Sequence, residues 1–415
     1  MKILILTQYF PPEVGASQTR LYETVKALQR CGQDVEVFTA MPSYPRGEIF
    51  DDYKGCFYKR EEIYGIKVYR VWSYASNDLG QVKRLLSYSS FTGLALTALT
   101  AVRPRPDLLF VESPPLTLGI TGYLLSKVWR CPWILNLSDL WPDSIFALGS
   151  MDEESFAGKS LLKLESFLYK KATGITAVTE GMISDLRLKK NVPDEKLFYL
   201  PNGANVEMFY PVQDYHDQKQ KKFIYAGRIG KAHGVEVIAK AAALTKQRRD
   251  ILYEIIGDGP ELPNLKKMIC DMRLNNIKIS EPVPLSQMPQ KLKDAYAALV
   301  TLKANPLFKG TRPAKMLPPL AAGLPIVYSG AGEGADIIKE TCAGVVTPPE
   351  DEKEFAKAVI WLAEHPEEAY DMGRRGREYA ERNLDWNVLV KNWFWDVQKR
   401  IIKDKGKIKN AEKAL

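Results

Sequence analysis

At 415 residues the chain is longer than one ordinary hydrophobic core supports, so two domains are expected. A content of 46% hydrophobic and 26% charged residues is that of a globular protein and leaves little room for extended disorder. The formal charge of +8 fits an anionic partner such as a nucleotide diphosphate or an acidic membrane surface; no basic helix interleaved with aromatics speaks for nucleic acid.

The five cysteines are scattered without zinc or redox spacing, which implies a reducing, cytoplasmic compartment, and three histidines rule out a histidine-rich metal centre. Residues 2–7 form an apolar run broken by Gln8, Pro11 and Pro12, too short for a signal peptide, and predict a buried first strand. The loop that follows reaches a helix through Gly15. A glycine at such a turn lets phosphates approach backbone N–H groups and the positive helix end, but the G-x-G-x-x-G spacing is absent and turn geometry explains Gly15 equally well. Residues 19–31 repeat Leu21, Val25 and Leu28 at helical spacing, Gly32 ends that helix, and 35–39 read as the next strand, completing a right-handed βαβ unit. Asp51-Asp52 reads as a solvated turn. Residues 85–102 carry no charge and lie between Lys83-Arg84 and Arg103-Pro104-Arg105. A buried domain helix is the favoured reading, a helix at the bilayer interface the second, and a membrane span the last. Residues 107–112, 133–137, 174–178 and 196–200 continue as buried strands.

Polar, basic residues 211–222 suit a linker, after which the alternation starts afresh: strands at 223–226, 252–256, 277–279, 298–302 and 325–328, with a helix at 235–244. The expectation is an α/β protein of two Rossmann-like, doubly wound domains facing a central cleft, divided as 1–210, 211–385 and a terminal segment 386–415 ending in a basic tail. Ligands of such sheets bind beyond the carboxyl ends of the strands. There the second half places Gly227-Arg228-Ile229-Gly230-Lys231-Ala232-His233-Gly234, with Arg228 and Lys231 beside a helix start. Two cations at an already positive helix end are unfavourable unless an anion joins them, which favours a diphosphate site over a plain surface pair. A third cluster, Lys309-Gly310-Thr311-Arg312-Pro313-Ala314-Lys315, precedes a short helix and offers a hydroxyl and cations to phosphate or sugar.

Here the sequence resembles glycosyltransferase family 4 on the GT-B fold. The likeness lies in Leu200-Pro201-Asn202-Gly203, Gly227-Arg228-Ile229 with Gly234, Gly257-Asp258-Gly259-Pro260-Glu261 and Ala321-Ala322-Gly323-Leu324-Pro325-Ile326-Val327. Tyr9-Phe10-Pro11-Pro12-Glu13, Arg60-Glu61-Glu62-Ile63-Tyr64-Gly65, Asp139-Leu140-Trp141-Pro142-Asp143 and Gly230-Lys231-Ala232-His233-Gly234 are similar to its branch of bacterial N-acetylfucosamine and colanic acid transferases. The resemblance implies a 1–210 domain that binds the acceptor, a 211–385 domain that binds the nucleotide sugar, and a closing helix at 379–397 that crosses back to the first lobe.

It further implies retaining, metal-independent transfer from a UDP-sugar to a lipid-linked (polyprenyl diphosphate) sugar acceptor in O-antigen, capsule or exopolysaccharide assembly, with peripheral contact to an anionic membrane. No D-x-D motif sits at a strand end. The transferred sugar would be one such as N-acetylfucosamine. Arg228 and Lys315 would stabilise the leaving diphosphate, with Gly15, Gly227, Lys231, His233, Gly257, Gly310 and Thr311 around the donor; His233 would donate to phosphate when protonated, or Lys231 would take that place. Asp139 would orient the acceptor hydroxyl or stabilise the transition state; an N-cap role suits it as well. The family's Glu-x7-Glu pair is absent, its positions being Gly310 and Pro318. That absence keeps a non-catalytic nucleotide-sugar binder open, and a UDP-sugar 2-epimerase is the other alternative.

Overall fold

The computed structural model describes residues 1–44, 47–76, 81–147, 149, 151–211, 219–305 and 312–402, the side chains of 81, 82, 84 and 147 excepted. It divides into two compact units: Met1–Asn202 together with the chain from Trp386 onward, and Gly203–Asp385. The join falls a little before the compositional break near residue 210. The cause is local: the Ala204 N–H donates to the Leu384 carbonyl at 2.7 Å, and the Arg377 guanidinium donates to the carbonyls of Val206, Phe209 and Ala321, which ties this stretch to the second unit.

The first unit is an eight-stranded sheet of β1 (Lys2–Leu6), β2 (Asp34–Ala40), β3 (Tyr58–Ile63), β4 (Ile66–Val71), β5 (Leu108–Ser113), β6 (Trp133–Leu137), β7 (Gly174–Ala177) and β8 (Leu197–Tyr199), ordered β3-β4-β2-β1-β5-β6-β7-β8. The apolar runs at β1, β5 and β6 are buried on both faces because helices cover both. One face packs Leu4, Leu6, Leu109, Val111 and Leu135 under helices that include Leu118–Trp129 and Phe156–Lys171. The other packs Ile3, Ile5, Phe110 and Ile134 under Ala16–Arg30 and the returning helix Trp386–Val397, whose Trp393 ring meets Phe110 edge-on at 5.5 Å. The single helix expected over 379–397 is two, Pro366–Asn383 and Trp386–Val397, broken where Asp385 pairs with Ala204.

The hairpin β3–β4 escaped the sequence reading because its exposed edge strand is charged and only alternately buried. Its signal was Tyr64-Gly65: both have positive φ (50° and 80°), as a two-residue hairpin turn requires. The charge-free run at 85–102 is a broken helix, Gln81–Leu94, Ala95–Thr97 and Ala98–Ala101, with Phe91, Ala95, Ala98 and Val102 in the core. Its Ser90, Thr92 and Thr97 hydroxyls donate to carbonyls of the preceding turn. Among the described residues no helix is long and apolar enough to cross a membrane.

The second unit is a wholly parallel sheet of β9 (Lys221–Ala226), β10 (Ile251–Ile256), β11 (Ile277–Ser280), β12 (Ala297–Thr301), β13 (Ile326–Ser329) and β14 (Gly344–Thr347), ordered β11-β10-β9-β12-β13-β14. The strand direction of travel reverses between β9 and β12. That reversal opens a crevice at the carboxyl ends of these two strands, where doubly wound sheets bind ligands.

Candidate functional site

Two glycine turns leave the second sheet side by side. The one after β9 runs Gly227-Arg228-Ile229-Gly230, then a single 3-10 turn, Lys231–His233, and Gly234 at φ 59°, before helix Glu236–Leu244. The one after β10 runs Gly257-Asp258-Gly259-Pro260 into helix Leu262–Asp271. They are zipped together: Gly227 N–H donates to Ile256 O at 2.9 Å, Ile229 N–H to Asp258 O at 2.8 Å and Glu261 N–H to Ile229 O at 3.1 Å. A Cβ on Gly257 would lie 1.9 Å from the Gly227 carbonyl oxygen, and one on Gly259 would lie 2.2 Å from that of Ile229. The fold itself therefore requires glycine at 257, whatever approaches it from outside.

Lys315 comes in from the crossover after β12, on the 3-10 turn Ala314–Met316 ahead of helix Leu317–Ala321. Its ammonium donates to the Tyr225 hydroxyl at 2.6 Å, which donates onward to the Arg228 carbonyl at 2.8 Å. Its Cε lies 3.5 Å from where a Gly227 Cβ would stand. Among the described residues no carboxylate is paired with Lys315, and burial brings its pKa down from 10.5 to about 7.

His233 sits in the same group. Burial first, then the charges of Lys315 and Arg228, lower its pKa to about 4, and its buried Nδ1 has no partner among the described residues. The protein's own groups thus keep the imidazole neutral at pH 7. It can donate to a phosphate through a neutral N–H; protonation, the role expected from sequence, requires an added negative charge. Arg228 and Lys231 are exposed beside it. Buried Arg312 shortly precedes Lys315 in the chain, while Gly310 and Thr311 lie outside the described residues.

Gly227, Arg228, Lys231, His233, Gly257 and Lys315 are therefore gathered at the strand reversal. Arg228, Lys231 and Lys315 bring cations to a wall of backbone formed by the two glycine turns, and among the described residues no carboxylate is paired with Lys315. Next to the turn after β10, a cavity of about 270 Å³ is lined by residues including Gly257, Asp258, Leu262, Ile279 and Glu281.

The remaining two residues singled out from sequence, Gly15 and Asp139, belong to the first unit. Gly15 precedes helix Ala16–Arg30 at φ 175°, an extended conformation open to any residue, and the group a Cβ would meet is the movable Gln18 amide at 2.4 Å. Nothing in the backbone demands glycine there. Asp139 follows β6 and accepts hydrogen bonds from the Leu140 N–H and the Ser144 hydroxyl. Desolvation by the surrounding loop outweighs these bonds, so its pKa is raised above the ordinary value.

The sequence reading missed a buried polar group at the ends of β5 and β6. Arg20 donates to Glu112 (3.4 Å), Ser138 (2.8 Å) and Asn136 (2.9 Å), and Asn136 donates to Glu112. Burial raises the Glu112 pKa and lowers that of Arg20, each opposed by the other's charge. The available signal was a carboxylate and an amide inside the otherwise apolar runs of β5 and β6.

Comparison with known proteins agrees with this fold. Residues 15–203 match the glycosyl transferase 4-like domain, and residues 210–379 match the glycosyl transferases group 1 domain. A putative colanic acid biosynthesis glycosyl transferase, WcaI of Escherichia coli K12, is 25% identical over 96% of this chain and 100% of its own. A probable glycosyltransferase of Pseudomonas aeruginosa, WbjE, is 27% identical over 64% of this chain and 68% of its own. Among solved structures, sucrose-phosphate synthase of Thermosynechococcus elongatus superposes with a TM-score of 0.73 at 17% identity, covering 97% of this chain and 100% of the other. Anabaena HepE in complex with UDP and glucose superposes at 0.71 and 15% identity, covering 96% and 100%. The chain belongs to the family 4 glycosyltransferases of the GT-B fold.

Proposed function

We propose that this transferase moves a sugar from a UDP-linked donor to a lipid-linked sugar diphosphate during cell-surface polysaccharide assembly, with retention of anomeric configuration and without an obligatory metal. The observation that carries the donor half is Lys315. A lysine brought down to about 7 by burial, with Arg228 close by and no carboxylate paired to it among the described residues, is a site for the counter-anion that a diphosphate supplies. HepE, of the same fold, has been solved with UDP and with UDP-glucose, and the WcaI relative is named for colanic acid biosynthesis; both support the substrate class.

In the proposed reaction the bond from the anomeric carbon to the diphosphate oxygen breaks. The acceptor hydroxyl oxygen bonds to that carbon on the same face, and its proton passes to the departing phosphate. Charge growing on the diphosphate is met by Lys315 and Arg228, with Lys231, His233 and the backbone of Gly227 completing the cradle. The 270 Å³ cavity beside Gly257 suits the nucleoside. Asp139 of the first unit is assigned the acceptor hydroxyl, and the site of action is the cytoplasmic face of the plasma membrane.

The direct test is a panel of UDP- and GDP-sugars in thermal-shift binding, followed by product analysis with a polyprenyl diphosphate sugar. UDP-sugar stabilisation with transfer supports the reading. Binding with no transfer to any acceptor would instead identify a non-catalytic homologue, the reading that the missing carboxylates at Gly310 and Pro318 leave open. Asp139→Asn is expected to lower turnover by about one to two orders of magnitude, since the carboxylate that orients the acceptor hydroxyl is removed. Unchanged turnover with a lower melting temperature would assign Asp139 to its loop through Ser144 and Leu140.

A further inference from the structure

Helix Leu118–Trp129 is apolar on two sides. Leu118, Leu125 and Trp129 face the core, while Ile120, Leu124 and Val128 form a second stripe at four-residue spacing and are 36%, 42% and 63% exposed. A helix on a water-facing layer ordinarily turns polar groups outward at these positions. The neighbouring helices extend the surface. Phe167 of Phe156–Lys171 is exposed and packs edge-on against Tyr123 at 5.4 Å. On the other side the Thr121 hydroxyl donates to the Thr92 carbonyl at 2.5 Å, which joins the broken helix at 85–102. No charged residue occurs at 85–102 or at 113–126, so two adjacent elements present an uncharged outer face.

The rim has the opposite character and one sign. Arg103, Arg105, Lys127, Arg130, Lys170 and Lys171 are exposed at the ends of these elements. Asp107 is close in the chain, but its carboxylate accepts the Lys2 N–H at 2.9 Å. Beyond Val128 a cavity of about 330 Å³ is lined by Lys127, Arg130 and Lys171 together with Ser126, Thr173 and Trp133, and no carboxylate lines it. The carbonyl ends of two helices point here, and each carries about half a negative charge. Lys127 and Lys171 alone bring two full charges to those partial ones.

We infer that this face of the first unit is a docking surface for an anionic lipid bilayer, with Ile120, Leu124 and Val128 entering the acyl boundary and the Lys127–Arg130–Lys171 cavity taking a lipid headgroup phosphate. An apolar centre ringed by cations is complementary to a leaflet with an apolar interior and anionic headgroups, and to neither alone. The inference deepens the proposed use of a lipid-linked acceptor by naming the surface that meets the membrane. It centres the contact on the neighbour of the 85–102 helix, which buries Phe91, Ala95, Ala98 and Val102 in the core and leaves Leu85 and Leu86 exposed at its start.

The test is flotation of the full chain with vesicles of phosphatidylcholine alone and of phosphatidylcholine mixed with phosphatidylglycerol. The wild type is expected to float with the mixed vesicles and not with the neutral ones. Lys127→Gln with Lys171→Gln should weaken that binding roughly thirtyfold, about fivefold per lysine, and added salt should mimic the effect. Leu124→Ser with Val128→Ser should weaken it too, in a manner salt does not reproduce. Both pairs are surface changes, and unchanged melting temperatures and UDP-sugar binding establish that they fold.

Equal binding to both vesicle types, or binding that survives both pairs, overturns the inference. So does a concentration-dependent dimer, seen by light scattering, that the leucine–valine pair dissolves, because the stripe would then belong to a second copy. Transfer to a short-chain soluble acceptor is measured in parallel. Transfer without vesicle binding removes the docking surface and leaves the transferase reading standing; vesicle binding without transfer does the reverse.

Discussion

Replacing Lys315 with alanine is expected to lower turnover about a hundredfold to a thousandfold, the range typical for removing one preorganised stabiliser of developing negative charge. The fold should survive, because the ammonium makes one hydrogen bond, to a tyrosine hydroxyl that keeps its second partner at the Arg228 carbonyl. Lys315→Met separates charge from volume: it keeps the stem packed against Gly227 and Tyr225 and removes only the cation. Steady-state kinetics with a UDP-sugar would decide. Near-normal turnover in both variants would remove Lys315 from the reaction.

The same lysine sets a pH dependence whose direction follows from burial. Its folded pKa of about 7 lies below the ordinary 10.5, and a bound diphosphate favours the charged form, so donor binding raises that pKa. Above pH 7 the donor must then bind with uptake of a proton, and affinity should fall by up to tenfold per pH unit. Calorimetry at pH 8 in buffers of different ionisation enthalpy reads the proton directly, and Lys315→Met should abolish the uptake. Stability without donor runs the other way. The unfolded chain holds the proton up to 10.5 and the folded one only to about 7, so stability declines as pH falls through that window and levels off below 7. In Lys315→Met this slope should be missing. His233, neutral down to about pH 4, adds nothing between pH 7 and 10.

The strands and the donor-side residues were legible in the sequence for one reason: a doubly wound sheet writes its buried strands as apolar runs and puts ligand residues directly after them. Gly227, Arg228, His233 and Lys315 come from loops after β9 and β12, which are distant in sequence but neighbours in the sheet. Sequence did not reveal what each residue touches. Gly257 was assigned to the ligand because nothing in a one-dimensional pattern says that the neighbouring turn presses on it. The protonation state of His233 depends on burial and on Lys315 as well as on Arg228, and of these only Arg228 is near it in the chain. The polar residues inside β5 and β6 hinted at the Arg20–Glu112–Asn136 group but did not name its partner, since Arg20 on a helix and Glu112 on β5 meet only through the fold.

Gly257→Ala should therefore behave differently from a glycine kept only for its ligand. If glycine at 257 served solely to admit a phosphate, alanine would weaken donor binding and leave the melting temperature alone. The added Cβ would instead fall 1.9 Å from the Gly227 oxygen and 3.0 Å from its carbonyl carbon, and both belong to backbone. Gly227 cannot retreat freely, because its N–H is bonded to Ile256 and the next residues are zipped to Asp258. Relief requires the two turns to part, with loss of the Ile229–Asp258 bond and movement of Arg228 away from Tyr225 and Lys315. The expected cost is about 3–4 kcal/mol or more, at the high end for single substitutions, together with loss of donor binding. Gly230→Ala is the control. Its Cβ would find nothing nearer than 3.7 Å, at a φ of −128° that alanine adopts without strain, so stability should hold. A Gly257→Ala protein as stable as wild type, measured by thermal denaturation beside that control, would mean that the turns are not locked. The cradle at β9 would then owe its shape to the donor, whereas the zipped backbone makes it a property of the fold.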